Sequence, residues 1–267
     1  MKHRRFDHKV PEYYLNSLLR TVREQEEELA ELRGAPEEEE PVCRRFGILV
    51  AIELDAIHTL YPDAEELDGP TGYKTLKIRK PGRVIYVCQC GMGTVAASAG
   101  VQYLISRFHV SAIVNFGVVG GLTPDMKQQK VCLVDRVVHY KYDCHEFMDL
   151  VPGQVDGHSS VFLPTDAALK AIVREAAPDL PLVTCCSGDK FVGTAEEKAL
   201  LHRQFEGDIC DMESAGIVLT CEANGVPCLL FKAVSDGLAD GAAGFYAELQ
   251  SASLLCLRMA DKMMGKL

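Results

Sequence analysis

No stretch of this 267-residue chain approaches the ~20 consecutive apolar residues that a bilayer-spanning helix requires, so no transmembrane segment is expected. Basic residues are in deficit. Against 38 Asp and Glu stand only 28 Lys and Arg, a formal net charge of −10, which leaves no cationic stripe to neutralise nucleic-acid phosphates. The first residues, Met1-Lys2-His3-Arg4-Arg5-Phe6-Asp7, are basic but lack the apolar region of a signal peptide, and a cytoplasmic protein is the expectation. Zinc spacing is missing as well: Cys88-Gln89-Cys90 and Cys185-Cys186 are the closest pairs among eleven cysteines, and neither is a C-x-x-C with paired histidines. Cys132, Cys210, Cys228 and Cys256 sit inside apolar runs, where a reduced thiol acts as a small hydrophobe. Gly91-Met92-Gly93 lacks the third glycine of a dinucleotide fingerprint, and no Walker sequence occurs. No metal and no organic cofactor are expected.

What the chain does have is 48% hydrophobic residues, enough to bury one large core. Two regions differ in pattern. Over residues 12–33, Leu15, Leu18, Val22, Leu29 and Leu32 recur at spacings of three and four, interrupted by Gln25, with charged residues between them. This a/d seam of about three heptads predicts a helix that pairs with another helix or lies on the body of its own chain. Arg33-Gly34-Ala35-Pro36 ends it, and Glu37 to Glu40 with Pro41 form a solvated linker. Residues 1–41 are thus read as a helical extension with an acidic linker, and 42–267 as one domain.

From Phe46 onward apolar strands alternate with helical patterns. Strands are predicted at 46–52, 75–79, 83–88, 112–116, 130–138, 182–186 and 227–234, helices at 95–107, 165–177, 194–204, 212–224 and 245–264. Alternation of this kind implies a largely parallel sheet covered on both faces. Ligands then bind at the carboxyl ends of the strands. Four such ends carry unusual residues: Glu53-Leu54-Asp55, Cys90-Gly91-Met92-Gly93-Thr94, Asn115 to Gly121, and Ser235-Asp236. Asp236, just past a buried run, is the first catalytic candidate, and Glu213 in Asp211-Met212-Glu213-Ser214-Ala215 the second.

In this order the segments resemble the nucleoside phosphorylase/nucleosidase superfamily, with the 5′-methylthioadenosine/S-adenosylhomocysteine nucleosidases as the nearest branch. The resemblance covers about 46–264 and rests on Asn115-Phe116-Gly117-Val118-Val119-Gly120-Gly121-Leu122, Ser187-Gly188-Asp189-Lys190-Phe191-Val192, Asp211 to Ala215, and Ala233-Val234-Ser235-Asp236. It implies a three-layer α/β/α fold with a central mixed, twisted sheet, and hydrolysis of the N-glycosidic bond of a purine nucleoside by a homodimer. By the same resemblance Asp236, in the Ser235-Asp236 segment, gives a proton to purine N7, and Glu213 holds the ribose hydroxyls beside Met212. Phe191 stacks on the base, Val192 offers backbone groups to it, and Val119 and Gly120 line the site. Where relatives carry a water-activating glutamate, Asp55 is the match here, with Glu53 the less favoured substitute; where they carry an arginine, Lys232 stands, and by the resemblance Lys232 and Ser235 belong to the substrate-binding residues. Val118 replaces a hydroxyl or small residue. Phe245 is a candidate wall for the 5′ end. Phosphate as nucleophile, and a fold that binds a nucleoside without turning it over, stand as alternatives.

Overall fold

The computed structural model describes residues 44–70 and 72–267; the helix expected over 12–33 lies outside them. Among the described residues ten strands form one mixed sheet, and six helices pack on it. In chain order they are β1 (Arg44–Val50), α1 (Leu54–Leu60), β2 (Glu65–Leu67), β3 (Lys74–Lys80), β4 (Arg83–Gln89), α2 (Thr94–Phe108), β5 (Ala112–Gly121) and β6 (Val131–His139). There follow β7 (Leu163–Pro164), α3 (Ala167–Ala176), β8 (Leu182–Ser187), α4 (Ala195–Phe205), β9 (Ile209–Asp211), α5 (Ser214–Asn224), β10 (Cys228–Asp236) and α6 (Gly241–Met264).

The central strands are buried on both faces, which is why they read as unbroken apolar runs. Side chains of a strand alternate between faces, and the two cores divide accordingly. Phe46, Ile48 and Val50 of β1, Val114 and Phe116 of β5, and Leu229, Phe231 and Ala233 of β10 pack against Ala252, Cys256, Leu257 and Ala260 of α6. Leu49, Ile113, Leu230 and Val234 face the other way, onto Ala97, Val101 and Leu104 of α2 and Ala215, Val218 and Cys221 of α5. That is the three-layer arrangement the sequence pattern implies.

One half of the sheet closes on itself. β5 pairs with β10 in parallel and with β9 antiparallel. β10 pairs with β6, β6 with β8, and β8 with β9. These five strands form a ring, and β1, β4, β3 and β2 extend from β5 as an open flank. β5 runs five residues beyond its predicted end, because Gly117 to Gly121 continue the strand as the partner of β10 and β9 rather than forming a turn. Gly121 is a close-approach position: a Cβ there would lie 2.3 Å from the carbonyl oxygen of Met126. α6 starts at Gly241 instead of 245, and α1, β2, β7 and β9 are short elements the pattern did not predict. Among the described residues the cysteines are free, and all but Cys144 are buried, in keeping with their reading as small hydrophobes.

Candidate active site

The carboxyl ends of β1, β5, β9 and β10 meet at one cleft of about 570 Å³, its open mouth included. Glu53, Val118, Val119, Gly120, Asp211, Met212, Glu213 and Asp236 line it, with Phe191, Val192 and Lys190 from the segment after β8, Met92 from the turn before α2, and Phe245 from α6. Asp236 and Glu213 therefore share one hollow, though they lie 23 residues apart and on different elements.

Glu213 sits at the start of α5, facing the start of α2. Its Oε1 accepts a hydrogen bond from Gly93 N–H at 2.8 Å, and its Oε2 one from Met212 N–H at 3.2 Å. The first N–H groups of a helix lack intrahelical partners and carry partial positive charge, so carboxylates favour that position. Thr94 N–H is met in the same way by Asp189 Oδ1 at 2.6 Å. Gly93 adopts φ of 101°, a conformation that glycine alone takes cheaply, and this aims its N–H at Glu213. Burial nevertheless pushes the Glu213 carboxyl up to about 7; the Asp211 charge adds to the rise and the Gly93 hydrogen bond opposes it.

Glu53 occupies the turn between β1 and α1 and is 7% exposed. Its Oε2 accepts from the N–H groups of Ala51 (3.1 Å) and Ile52 (2.9 Å), and its Oε1 from Val118 N–H (3.2 Å). The side chain folds back over its own turn and points across to β5. Asp55 does not reach the cleft: it is exposed in the first turn of α1 and lines no part of the cavity. The expectation that Asp55 supplies the carboxylate of this corner is corrected: the carboxylate that lines the cleft here is that of Glu53. The chain enters α1 one residue after Glu53, and helical rotation carries the side chain two positions on to the outer surface.

Asp236 ends β10 and is 1% exposed. Its Oδ1 accepts from Ser235 Oγ at 2.9 Å and its Oδ2 from Lys198 Nζ at 2.7 Å. Burial raises the carboxyl above its ordinary range, and the Lys198 and Ser235 hydrogen bonds pull against that rise. Gly120 makes room, since a Cβ there would stand 3.1 Å from Asp236 Oδ2.

Two residues expected to touch substrate lie behind the wall. Lys232 is 2% exposed and forms an ion pair with Asp211 at 2.8 Å. Burial alone would push the Asp211 carboxyl up, yet the Lys232 charge and the bonds from Lys232, Ser214 and Ser187 hold it below the usual range. Ser235 is wholly buried, and its hydroxyl serves Asp236 and Val119 O instead of the cavity. Met212, Phe191, Val192, Val119 and Gly120 do line the cleft. Phe191 meets Phe245 edge to face at 5.8 Å, making an apolar wall. Sequence reasoning missed Lys198, Asp189 and Met92. The first could have been suspected only from its place in a helix that begins with an N-cap threonine, Thr194 accepting from Glu197 N–H at 3.3 Å, which fixes the register that turns Lys198 inward. Among the described residues no cluster of His, Cys, Asp and Glu has the geometry to hold a metal ion.

A family model described as the phosphorylase superfamily matches residues 45–262. A 5′-methylthioadenosine/S-adenosylhomocysteine nucleosidase of Staphylococcus saprophyticus is 30% identical over 194 residues, 70% of this chain and 84% of that protein. An aminodeoxyfutalosine nucleosidase of Helicobacter pylori is 28% identical over 207 residues, 73% and 86% of the two chains. A crystal structure of the Helicobacter pylori 5′-methylthioadenosine/S-adenosylhomocysteine nucleosidase superposes with a TM-score of 0.80 at 26% identity, covering 85% of this chain and all of the other. A family match over four-fifths of the sequence, a relative 30% identical over most of both chains, and the shared fold lead to one conclusion: this chain belongs to the phosphorylase superfamily, among its nucleosidases.

Proposed function

We propose that this chain hydrolyses the N-glycosidic bond of a purine nucleoside, releasing the free base and a ribose derivative. The observation that carries this is the meeting of four carboxylates in one cleft: Asp211, neutralised by its ion pair with Lys232, and three more in different electrostatic settings, Glu53 on backbone N–H groups, Glu213 at a helix N-terminus with its pKa raised, and Asp236 beside a buried ammonium. Groups whose surroundings separate their proton affinities can divide acid and base work.

Asp236 gives its proton to purine N7 as the C1′–N9 bond breaks and its electron pair passes to the base. Glu213 accepts hydrogen bonds from the ribose hydroxyls and offsets positive charge growing at C1′, an effect strongest in a dry site. Glu53 takes a proton from the water that adds its oxygen to C1′. Phe191 stacks on the purine, and Phe245 with Met92 offers the 5′ substituent an apolar wall, which suits the methylthio or homocysteinyl tail named for the relatives. Water is favoured over phosphate as nucleophile. Lys190 is the single cation among the lining residues, and it is already paired with Glu197, whereas the carboxylates would repel an anion.

The finer reading is a cytoplasmic homodimer working in methionine salvage. Met92 and Phe191 at the cleft mouth are 62% and 45% exposed, and Tyr246, next to Phe245, is 76% exposed; apolar groups of this size at a site's rim suit a partner surface. No helix of the described residues is long and apolar enough to cross a membrane.

Incubation with methylthioadenosine, S-adenosylhomocysteine, adenosine and inosine, each with and without phosphate, tests the proposal. Free base formed without phosphate is the expected result. Release only with phosphate assigns phosphorolysis, and tight binding with no release in either condition overturns the enzymatic reading.

A further inference from the structure

Lys198 is the most completely buried cation among the described residues, at 0% exposure. Its ammonium has three N–H groups, and all three point at one short segment: Asp236 Oδ2 at 2.7 Å, Asp236 O at 3.3 Å and Gly237 O at 2.7 Å. Gly237 is gripped from its other side too, its N–H donating to Asp240 Oδ2 at 2.7 Å. The cation comes from α4, an element that otherwise packs through Leu201 and Phe205. Taking an ammonium out of water is costly, and an apolar side chain would fill the same volume without that cost. A satisfied charge retained there, with two of its three hydrogen bonds on the residue that must handle a proton, calls for a reason beyond packing.

We infer that Lys198 is a positioning residue for the acid. It clamps Oδ2 of Asp236 against Gly120 while Ser235 holds Oδ1, so the carboxyl keeps one orientation toward the base. It also faces the charge that appears when Asp236 releases its proton. As the proton passes to N7 and the C1′–N9 electron pair settles on the purine, the carboxyl becomes a carboxylate in a buried place, and the adjacent ammonium stabilises it without having to reorganise. The inference rests on Asp236 being the acid.

A double-mutant cycle separates the two. Lys198→Met is expected to lower kcat about 100-fold with KM changed less than about threefold, since the sugar and tail contacts lie elsewhere. Lys198→Met in an Asp236→Asn background is expected to add no further loss, because a residue that acts only through Asp236 has nothing left to position. Full activity in folded Lys198→Met, or losses that multiply in the double variant, would overturn the inference. Unchanged kinetics in Asp236→Asn alone would instead remove the acid assignment. If Lys198→Met does not accumulate as folded protein, Lys198→Gln, which keeps a donor for the Gly237 carbonyl, is carried through the same cycle and judged by the same outcomes.

Discussion

At the scale of single residues, Glu53 and Asp55 lie two positions apart in one turn and make a controlled comparison. Glu53→Gln keeps the shape and the Val118 contact but removes the base, and is expected to lower kcat by about 100-fold or more. Asp55→Asn, on the outer face of α1, is expected to leave kcat/KM within about twofold of the parent. Steady-state kinetics on the two variants decides between them, and a larger loss in Asp55→Asn would restore the rejected assignment. Glu213 carries a pH signature. Its ionised form is needed at the ribose and its pKa stands near 7, so kcat/KM is expected to fall as pH drops below about 7, and Glu213→Gln should abolish that limb along with most activity. The linkage has a defined sign. A carboxyl whose folded pKa lies above its unfolded value near 4.5 stabilises the fold fully below the unfolded pKa and loses that contribution as pH rises through the folded pKa. Between pH 5 and pH 8 the parent is therefore expected to lose about 1–3 kcal/mol that Glu213→Gln does not lose, measurable as a difference in denaturant midpoints at the two pH values.

Elements explain why some of this was readable and some was not. β1, β5 and β10 announced themselves because burial on both faces leaves little but apolar residues, and their ends delivered Asp236, Val119 and Gly120 to the right edge. The segment before α5 did the same for Met212 and Glu213. β7 and β9, two and three residues long, have no period to detect. The choice between Glu53 and Asp55 depended on where α1 begins, a single-residue boundary that apolar pattern does not mark. Lys198 was hidden because a lysine in a polar-looking helix reads as solvated. Two glycines test how tightly the elements are fitted. A Cβ at Gly117 would lie 2.9 Å from Glu53 Oε1, the mobile tip of a side chain, so Gly117→Ala is expected to fold with little change in Tm and to lose about 100-fold in kcat through displaced Glu53. A Cβ at Gly216 would lie 2.4 Å from the Thr94 carbonyl oxygen, where α5 crosses α2, and backbone cannot step aside so easily. Gly216→Ala is expected to cost about 1–3 kcal/mol in thermal or urea unfolding. Reversal of these two outcomes would mean that the crossing is looser than the cleft.

For the whole molecule, the test is mass. The full chain is expected to run at twice its monomer mass, and a chain beginning at Val42 at twice its own smaller monomer mass, because the exposed apolar residues proposed as the contact belong to the cleft mouth. Light scattering on both decides; a monomer after truncation would hand the contact to residues 12–33 and their heptad seam. The five-strand ring bears on how the protein is made. β10 is the last in chain order of the described strands, and it is the one that joins β5 to β6. A chain that lacks β10 has two adhesive strand borders open at once, on β5 and β6, and lacks Asp236. A premature stop ahead of Cys228 should therefore give aggregates before it gives a weakened enzyme.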